Sequence, residues 1–190
     1  MGMAHPTRGW TAEMVRALPD DGKRYEVVDG ELLVTPSPAW RHQRAIGGLY
    51  RILDRYVREH LLGDAIFAPA EIVFDERNLV EPDLFVVPLV EGAKPRDWAG
   101  VGRLLLAVEV LSPGTARRDR FTKRRLYQTR GVPEYWIVDL DARLIERWKP
   151  DHERPEILAE TLGWQPDPDH PALELDLPAY FADVLGKPAE

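Results

Sequence analysis

The sequence predicts an α/β fold with a mixed central β-sheet flanked by helices and an N-terminal β-hairpin, on three observations. Apolar residues recur at helical spacing over about 40–62, as in a core-facing helix. The run Leu104-Leu105-Leu106-Ala107-Val108 is apolar without interruption, which suits a strand covered on both faces. Between Tyr25 and Val34, two short alternating runs flank Asp29-Gly30, a pair that tolerates the positive φ angles of a two-residue turn.

Taken in order, Thr11 caps a short helix to Leu18, stopped by Pro19 and an Asp-Asp-Gly turn. The hairpin follows, closed by Pro36 and Pro38. In the long helix, Ile46, Leu49, Tyr50, Leu53, Val57 and Leu61 form the apolar stripe. Three strands come next, over 65–74, 80–87 and 104–111, the last of them central. A second helix over about 117–129 ends at Gly131 and Pro133, and strands over 134–138 and 144–148 complete the pattern. The proline- and acid-rich tail beyond Lys149 packs back through Leu173, Leu175, Leu177, Tyr180, Phe181 and Leu185. All 190 residues are read as one domain, with a core over about 25–148 and a C-terminal extension over 149–190.

Composition narrows the function classes. The chain has no cysteine, so disulfides, thiolate metal ligands and cysteine nucleophiles are excluded. No apolar run approaches the ~20 residues of a membrane span, and Met1 to Trp10 lacks the basic start and apolar middle of a signal peptide, so a cytoplasmic protein is expected. Ser37 and Ser112 are the only serines, and there is no Gly-x-Ser-x-Gly elbow, Gly-rich phosphate loop or His-Glu-x-x-His helix. The net charge of −7 argues against a general polyanion binder. One segment reverses that sign: Thr115 to Arg130 carries Arg117, Arg118, Arg120, Lys123, Arg124, Arg125 and Arg130 against the single acid Asp119. It is either a solvated helix face paired with acids elsewhere or a local anion-binding stripe.

Two acids stand where acids are expensive. Glu109 interrupts the apolar central strand, between Ala107 and Leu111 on its own face. A carboxylate there must be protonated, paired with a cation or bound to a metal. Asp83, in Val80-Glu81-Pro82-Asp83-Leu84-Phe85-Val86-Val87, likewise heads an apolar strand, where the alternative reading is a strand-entry turn residue. Carboxylates on adjacent strands repel unless a cation lies between them, and Mg²⁺ commonly takes one or two protein carboxylates while keeping several waters. Asp119, Lys123, Leu126 and Tyr127 share one helix face that Leu126 and Tyr127 mark as inward. Lys123 therefore points toward the sheet, either as an ion-pair partner of Asp119 or Glu109 or as a group that orients water and stabilises phosphate charge. His42, four residues before Ile46, extends the buried stripe and is either a hydrogen-bonded core residue or a cleft residue. Glu71 is a weaker third carboxylate, and Glu26 and Glu31 are weaker still.

The order Tyr25-Glu26-Val27-Val28-Asp29-Gly30-Glu31-Leu32, His42, Pro82-Asp83-Leu84, Val108-Glu109-Val110-Leu111-Ser112-Pro113, Arg118-Asp119 with Lys123 and Tyr127, and Gly131-Val132-Pro133-Glu134-Tyr135-Trp136-Ile137-Val138-Asp139 closely resembles the Uma-type restriction endonucleases. That is a bacterial branch of the PD-(D/E)XK nuclease superfamily, and the match runs over about 25–148. The resemblance implies a restriction-endonuclease-like core and hydrolysis of nucleic-acid phosphodiesters, in DNA, with Mg²⁺ or Mn²⁺ as cofactor. It implies that Asp83 and Glu109 bind the metal, with the carbonyl of Val110 as a further ligand. The strand position where the superfamily carries its lysine is Leu111 here, and Lys123 is the residue that would replace it. Arg117, Arg118, Arg120, Arg124 and Arg125 would supply backbone contacts to DNA, and a homodimer would bring two basic stripes together. His42, Glu71, Asp119 and Tyr127 are further candidates for the site. The alternative is a non-catalytic module that keeps the nuclease fold and binds nucleic acid or a protein, a reading that Leu111 and the charge favour.

Overall fold

The computed structural model describes residues 9–35, 37–95, 97 and 101–186. Met1 to Arg8 and Pro36, which the sequence reading used, lie outside the described residues. In chain order the elements are α1 (Ala12–Arg16), β1 (Arg24–Val28), β2 (Glu31–Thr35), α2 (Trp40–Glu59), β3 (Gly63–Phe67), β4 (Ile72–Asp75), β5 (Asn78–Val80), β6 (Leu84–Pro88) and β7 (Leu106–Val110). They continue with α3 (Ala116–Arg118), a π-helical turn (Asp119–Lys123), α4 (Arg124–Thr129), β8 (Tyr135–Asp139), β9 (Leu144–Trp148), β10 (Glu156–Leu158), β11 (Thr161–Trp164), β12 (Leu173–Asp176) and α5 (Leu177–Leu185).

The central sheet has six strands in the order β10-β9-β8-β7-β6-β3. It is mixed: β7 runs parallel to β8 and antiparallel to β6, and the other neighbours are antiparallel. Every residue of β7 is buried, as its apolar run requires. On one face, Leu84, Val86, Leu106, Val108 and Val110 pack against α2 and α5. On the other, Phe85, Val87, Ala107 and Ile137 pack with Leu126 and Tyr127 of α4 and with Val28 and Leu33 of the hairpin.

The hairpin belongs to a second sheet, ordered β2-β1-β5-β4. Asp29 and Gly30 take φ values of 52° and 83°, the left-handed pair that closes a two-residue turn. Thr11 accepts a hydrogen bond from the Met14 amide and so caps α1 as its sequence position predicts. The tail supplies β10 to the edge of the central sheet, and α5 lies on α2, where the Tyr180 hydroxyl donates to the Ala45 carbonyl at 2.9 Å.

Two expected strands are each two strands in different sheets. Residues 65–74 divide into β3 and β4, and residues 80–87 into β5 and β6. Each break contains a proline, Pro69 or Pro82, which cannot donate to a ladder and lets the chain leave one sheet for the other. Asp83 thus sits where the chain crosses between sheets. Among the described residues, no helix is long and apolar enough to cross a membrane.

Candidate active site

Asp83 immediately precedes β6, and the β6–β7 register pairs Leu84 with Val108, so Asp83 and Glu109 stand across from one another at the next step. Three groups fix the Asp83 carboxylate. The Val110 amide donates to Oδ2 at 2.8 Å, His42 Nε2 lies 3.0 Å from the same oxygen, and Arg24 Nη1 donates to Oδ1 at 2.8 Å. Burial pushes the Asp83 acid up, but the His42 hydrogen bond and the positive charge of Arg24 prevail and hold it well below the usual carboxylate range.

Glu109 is the opposite case. It is 2% exposed, and its burial outweighs the attraction of Lys123, leaving its carboxyl well above the ordinary range. Lys123 Nζ donates to Glu109 Oε1 at 2.8 Å, and the Tyr127 hydroxyl donates to the same oxygen at 3.4 Å. Lys123 also meets Glu26 Oε1 at 2.7 Å. Its burial lowers the ammonium, but Glu109 and Glu26 together raise it, so it stays charged. Lys123 closes the π turn that Asp119 opens, and single π turns often mark functional places in helices. Both are buried, and the Asp119 acid is raised chiefly by burial. Of the two partners open to Lys123 from the sequence, the structure brings it to Glu109.

Glu26, ranked low from the sequence, is fully buried and central: its Oε1 takes Lys123 and also accepts the Glu81 amide at 2.8 Å. Arg24 was missed. Both lie on the same face of β1, with the buried Val28 two residues further on. That period-two pattern is the signal that could have found them, since a face that buries Val28 must bury Glu26. Arg24 thus holds Asp83 while Glu26 holds Lys123, and one short strand of the second sheet grips both halves of the site.

The remaining candidates divide. His42 enters the site through Asp83. Glu71 does not join it, because its carboxylate pairs with Arg16 at 2.8 Å. Glu31 is exposed on β2. Three of the five arginines have internal partners: Arg120 binds Glu146 at 2.6 Å and Asp139 at 3.0 Å, and Arg124 lies 4.7 Å over the Trp148 ring and donates to Gln128. Arg118 donates to the Val34 and Gly114 carbonyls. Arg117 and Arg125 are exposed.

The donor chemistry bears on what cation the site could hold. Among the described residues, no three His, Asp or Glu side chains form a protein-only metal cage. Asp83 and Glu109 instead offer two hard oxygen donors on paired strands, which suits a hydrated Mg²⁺ or Mn²⁺ that keeps water ligands. Two buried carboxylate oxygens, Glu26 Oε2 and Asp119 Oδ1, have no hydrogen-bond partner among the described residues and face the same cluster of charges. Such orphaned acceptors are tolerable where water or a cation completes them.

The Uma2 family, described as "Putative restriction endonuclease", matches residues 12–178. A solved structure from Anabaena variabilis ATCC 29413, described as "a putative nuclease belonging to DUF820", superposes with a TM-score of 0.71 at 18% identity. The match covers 92% of this chain and 99% of that one, and it establishes a shared fold. No curated protein matches the sequence.

Proposed function

Since the chain belongs to the Uma2 restriction endonuclease family, we propose that it is a divalent-metal-dependent nuclease that hydrolyses phosphodiester bonds in DNA. In this reading Asp83 and Glu109 hold Mg²⁺ or Mn²⁺, with the Val110 carbonyl as a further ligand, and Lys123 is the catalytic cation. The observation that carries it is the 2.8 Å contact between Lys123 Nζ and Glu109 Oε1 in a site shared with Asp83. In this reading the ammonium comes from the following helix, because Leu111, one residue past β7, has none to offer.

The residues divide the work. A bound divalent ion would lower the pKa of a ligand water and neutralise charge on the phosphate. Lys123 has three donors, of which Glu109 and Glu26 take two, and the third is free to orient the attacking water or bind a non-bridging phosphate oxygen. Arg24 and His42 hold the Asp83 carboxylate in one orientation. Arg117 and Arg125, which are exposed, contact the substrate backbone. Two copies would present two such stripes to one duplex.

The test is cleavage of supercoiled plasmid and of a single-stranded oligonucleotide with Mg²⁺, Mn²⁺ or EDTA. Wild type is expected to cut only with the metals. Glu109→Ala should abolish cutting, and Lys123→Ala should lower it about 10²–10³-fold, the usual cost of one transition-state donor. Equal cutting by all three proteins, or by wild type in EDTA, overturns the reading.

A further inference from the structure

The face of the basic helix turned away from Lys123 carries an aromatic ring between two cations. Arg117, Phe121 and Arg125 follow at intervals of four residues, and all three are exposed. Phe121 is 62% exposed, an unusual state for a phenylalanine on a helix whose neighbouring Leu126 and Tyr127 are buried. It lines a groove of about 520 Å³ between the helix and the hairpin, together with Glu31, Arg117, Arg118 and Thr122.

We infer that this groove binds an unpaired stretch of the DNA substrate, with a base stacked on Phe121 and the flanking phosphates held by Arg117 and Arg125. The inference rests on the nuclease reading above and adds the form of substrate. Base–aromatic stacking beside a track of cations is how single strands are held without regard to sequence. At a rise of about 1.5 Å per residue, Arg117 and Arg125 lie at most about 12 Å apart along the axis, one on each side of the ring. A paired duplex offers no base face to such a ring without unstacking.

Charge favours the same occupant. The chain is acidic overall, but Thr115 to Arg130 carries seven of its 25 lysines and arginines against one acid. Arg120 and Arg124 are spent on Glu146, Asp139, Gln128 and Trp148, whereas Arg117 and Arg125 hold no ion pair among the described residues. A protein-binding surface would cluster several apolar anchors, but among the described residues Phe121 is the only apolar side chain lining this groove. Glu31, on the opposite wall, disfavours a phosphate there and leaves that side to the base.

The test is fluorescence anisotropy of a labelled single-stranded DNA oligonucleotide and of the duplex of the same sequence, in EDTA so that no cutting intervenes. Wild type is expected to bind the single strand more tightly. Phe121→Ala should weaken that binding about tenfold and leave duplex binding unchanged, while Arg117→Ser should weaken both and reduce the salt dependence by about one phosphate contact. Single-strand binding unaffected by Phe121→Ala, or a preference for duplex, overturns the inference even where the plasmid is cut. Loss of single-strand affinity in Phe121→Ala by a protein that cuts nothing upholds the groove and overturns the catalytic reading instead.

Discussion

Lys123 and Glu109 meet at 2.8 Å from a helix and a strand, with both side chains almost wholly buried. The pair explains how Glu109 is tolerated in an apolar strand. It also makes Glu109 dependent on one ammonium, because Asp119, Asp83 and Glu26 all add negative charge around it.

Removing that ammonium should therefore cost stability as well as activity. Lys123→Met leaves Glu109 and Glu26 buried without their shared cation, a change that costs about 3–5 kcal/mol. The double variant Lys123→Met/Glu109→Gln should recover part of the loss, because of the two acids only Glu26 is then left without its cation. Urea midpoints of the four proteins of this cycle give the coupling directly. Additive losses would show that the pair does not act as a unit.

Glu26 offers a cleaner view of positioning, since it touches Lys123 from β1, a strand other than the one that carries Glu109. Glu26→Gln keeps the shape and the acceptor for the Glu81 amide but removes the charge. The expected result is a kcat lower by about 10- to 100-fold with KM nearly unchanged, because a displaced catalytic group costs rate rather than binding. A rise in KM alone would assign Glu26 to substrate binding.

Divalent ions should stabilise the folded protein through Asp83 and Glu109. At a hundredfold excess over Kd, a ligand specific to the native state contributes about 2.7 kcal/mol. Mg²⁺ or Mn²⁺ should raise Tm for wild type, and chelation should reverse the shift. Asp83→Asn and Glu109→Ala should show no shift, and a shift that survives both changes would place the ion elsewhere.

Asp83, Glu109 and Lys123 were legible in the sequence because each breaks an apolar pattern whose period was clear. The strand breaks at Pro69 and Pro82 were not, since apolar residues continue across both and hide the change of sheet. Glu26 ranked low because its partners, Lys123 and the Glu81 amide, both lie far along the chain, and only the period of β1 hinted at its burial. Arg120 and Arg124 looked available for the same reason, as their partners Glu146, Asp139 and Trp148 belong to β8 and β9. Local patterns show where a charge is costly, and long-range pairing decides what meets it.

The pH dependence of stability should carry the mark of Glu81. Burial, and then the charge of Glu26, push its carboxyl from an ordinary 4.5 to about 7. Between those values the folded protein holds a proton that the unfolded chain has released, so this group's contribution falls as pH rises from about 4.5 to about 7 and is level above that. Glu81→Gln removes the dependence, so the variant should gain on wild type across that window. Urea denaturation in EDTA at several pH values checks this, and parallel curves for the two proteins would count against it.

Two glycines separate packing from helix propensity. A Cβ on Gly63, in β3, would stand 1.9 Å from the Val87 carbonyl oxygen and 3.2 Å from the Pro88 Cα. Both are backbone atoms of β6, which pairs with β3 from Gly63–Pro88 to Phe67–Leu84. Gly63→Ala must push these strands apart, at a cost of about 3 kcal/mol or more. Because Asp83 immediately precedes β6, cleavage should fall with the fold. Gly47, within α2, has nothing within 4 Å of its Cβ position among the described residues apart from the helix's own backbone. Gly47→Ala therefore gains only the helix preference for alanine, about 0.5–1 kcal/mol, and should leave cleavage unchanged. Urea unfolding of the two variants should displace the midpoint in opposite directions, and a loss of stability in Gly47→Ala would mean that α2 packs more closely there than its neighbours indicate.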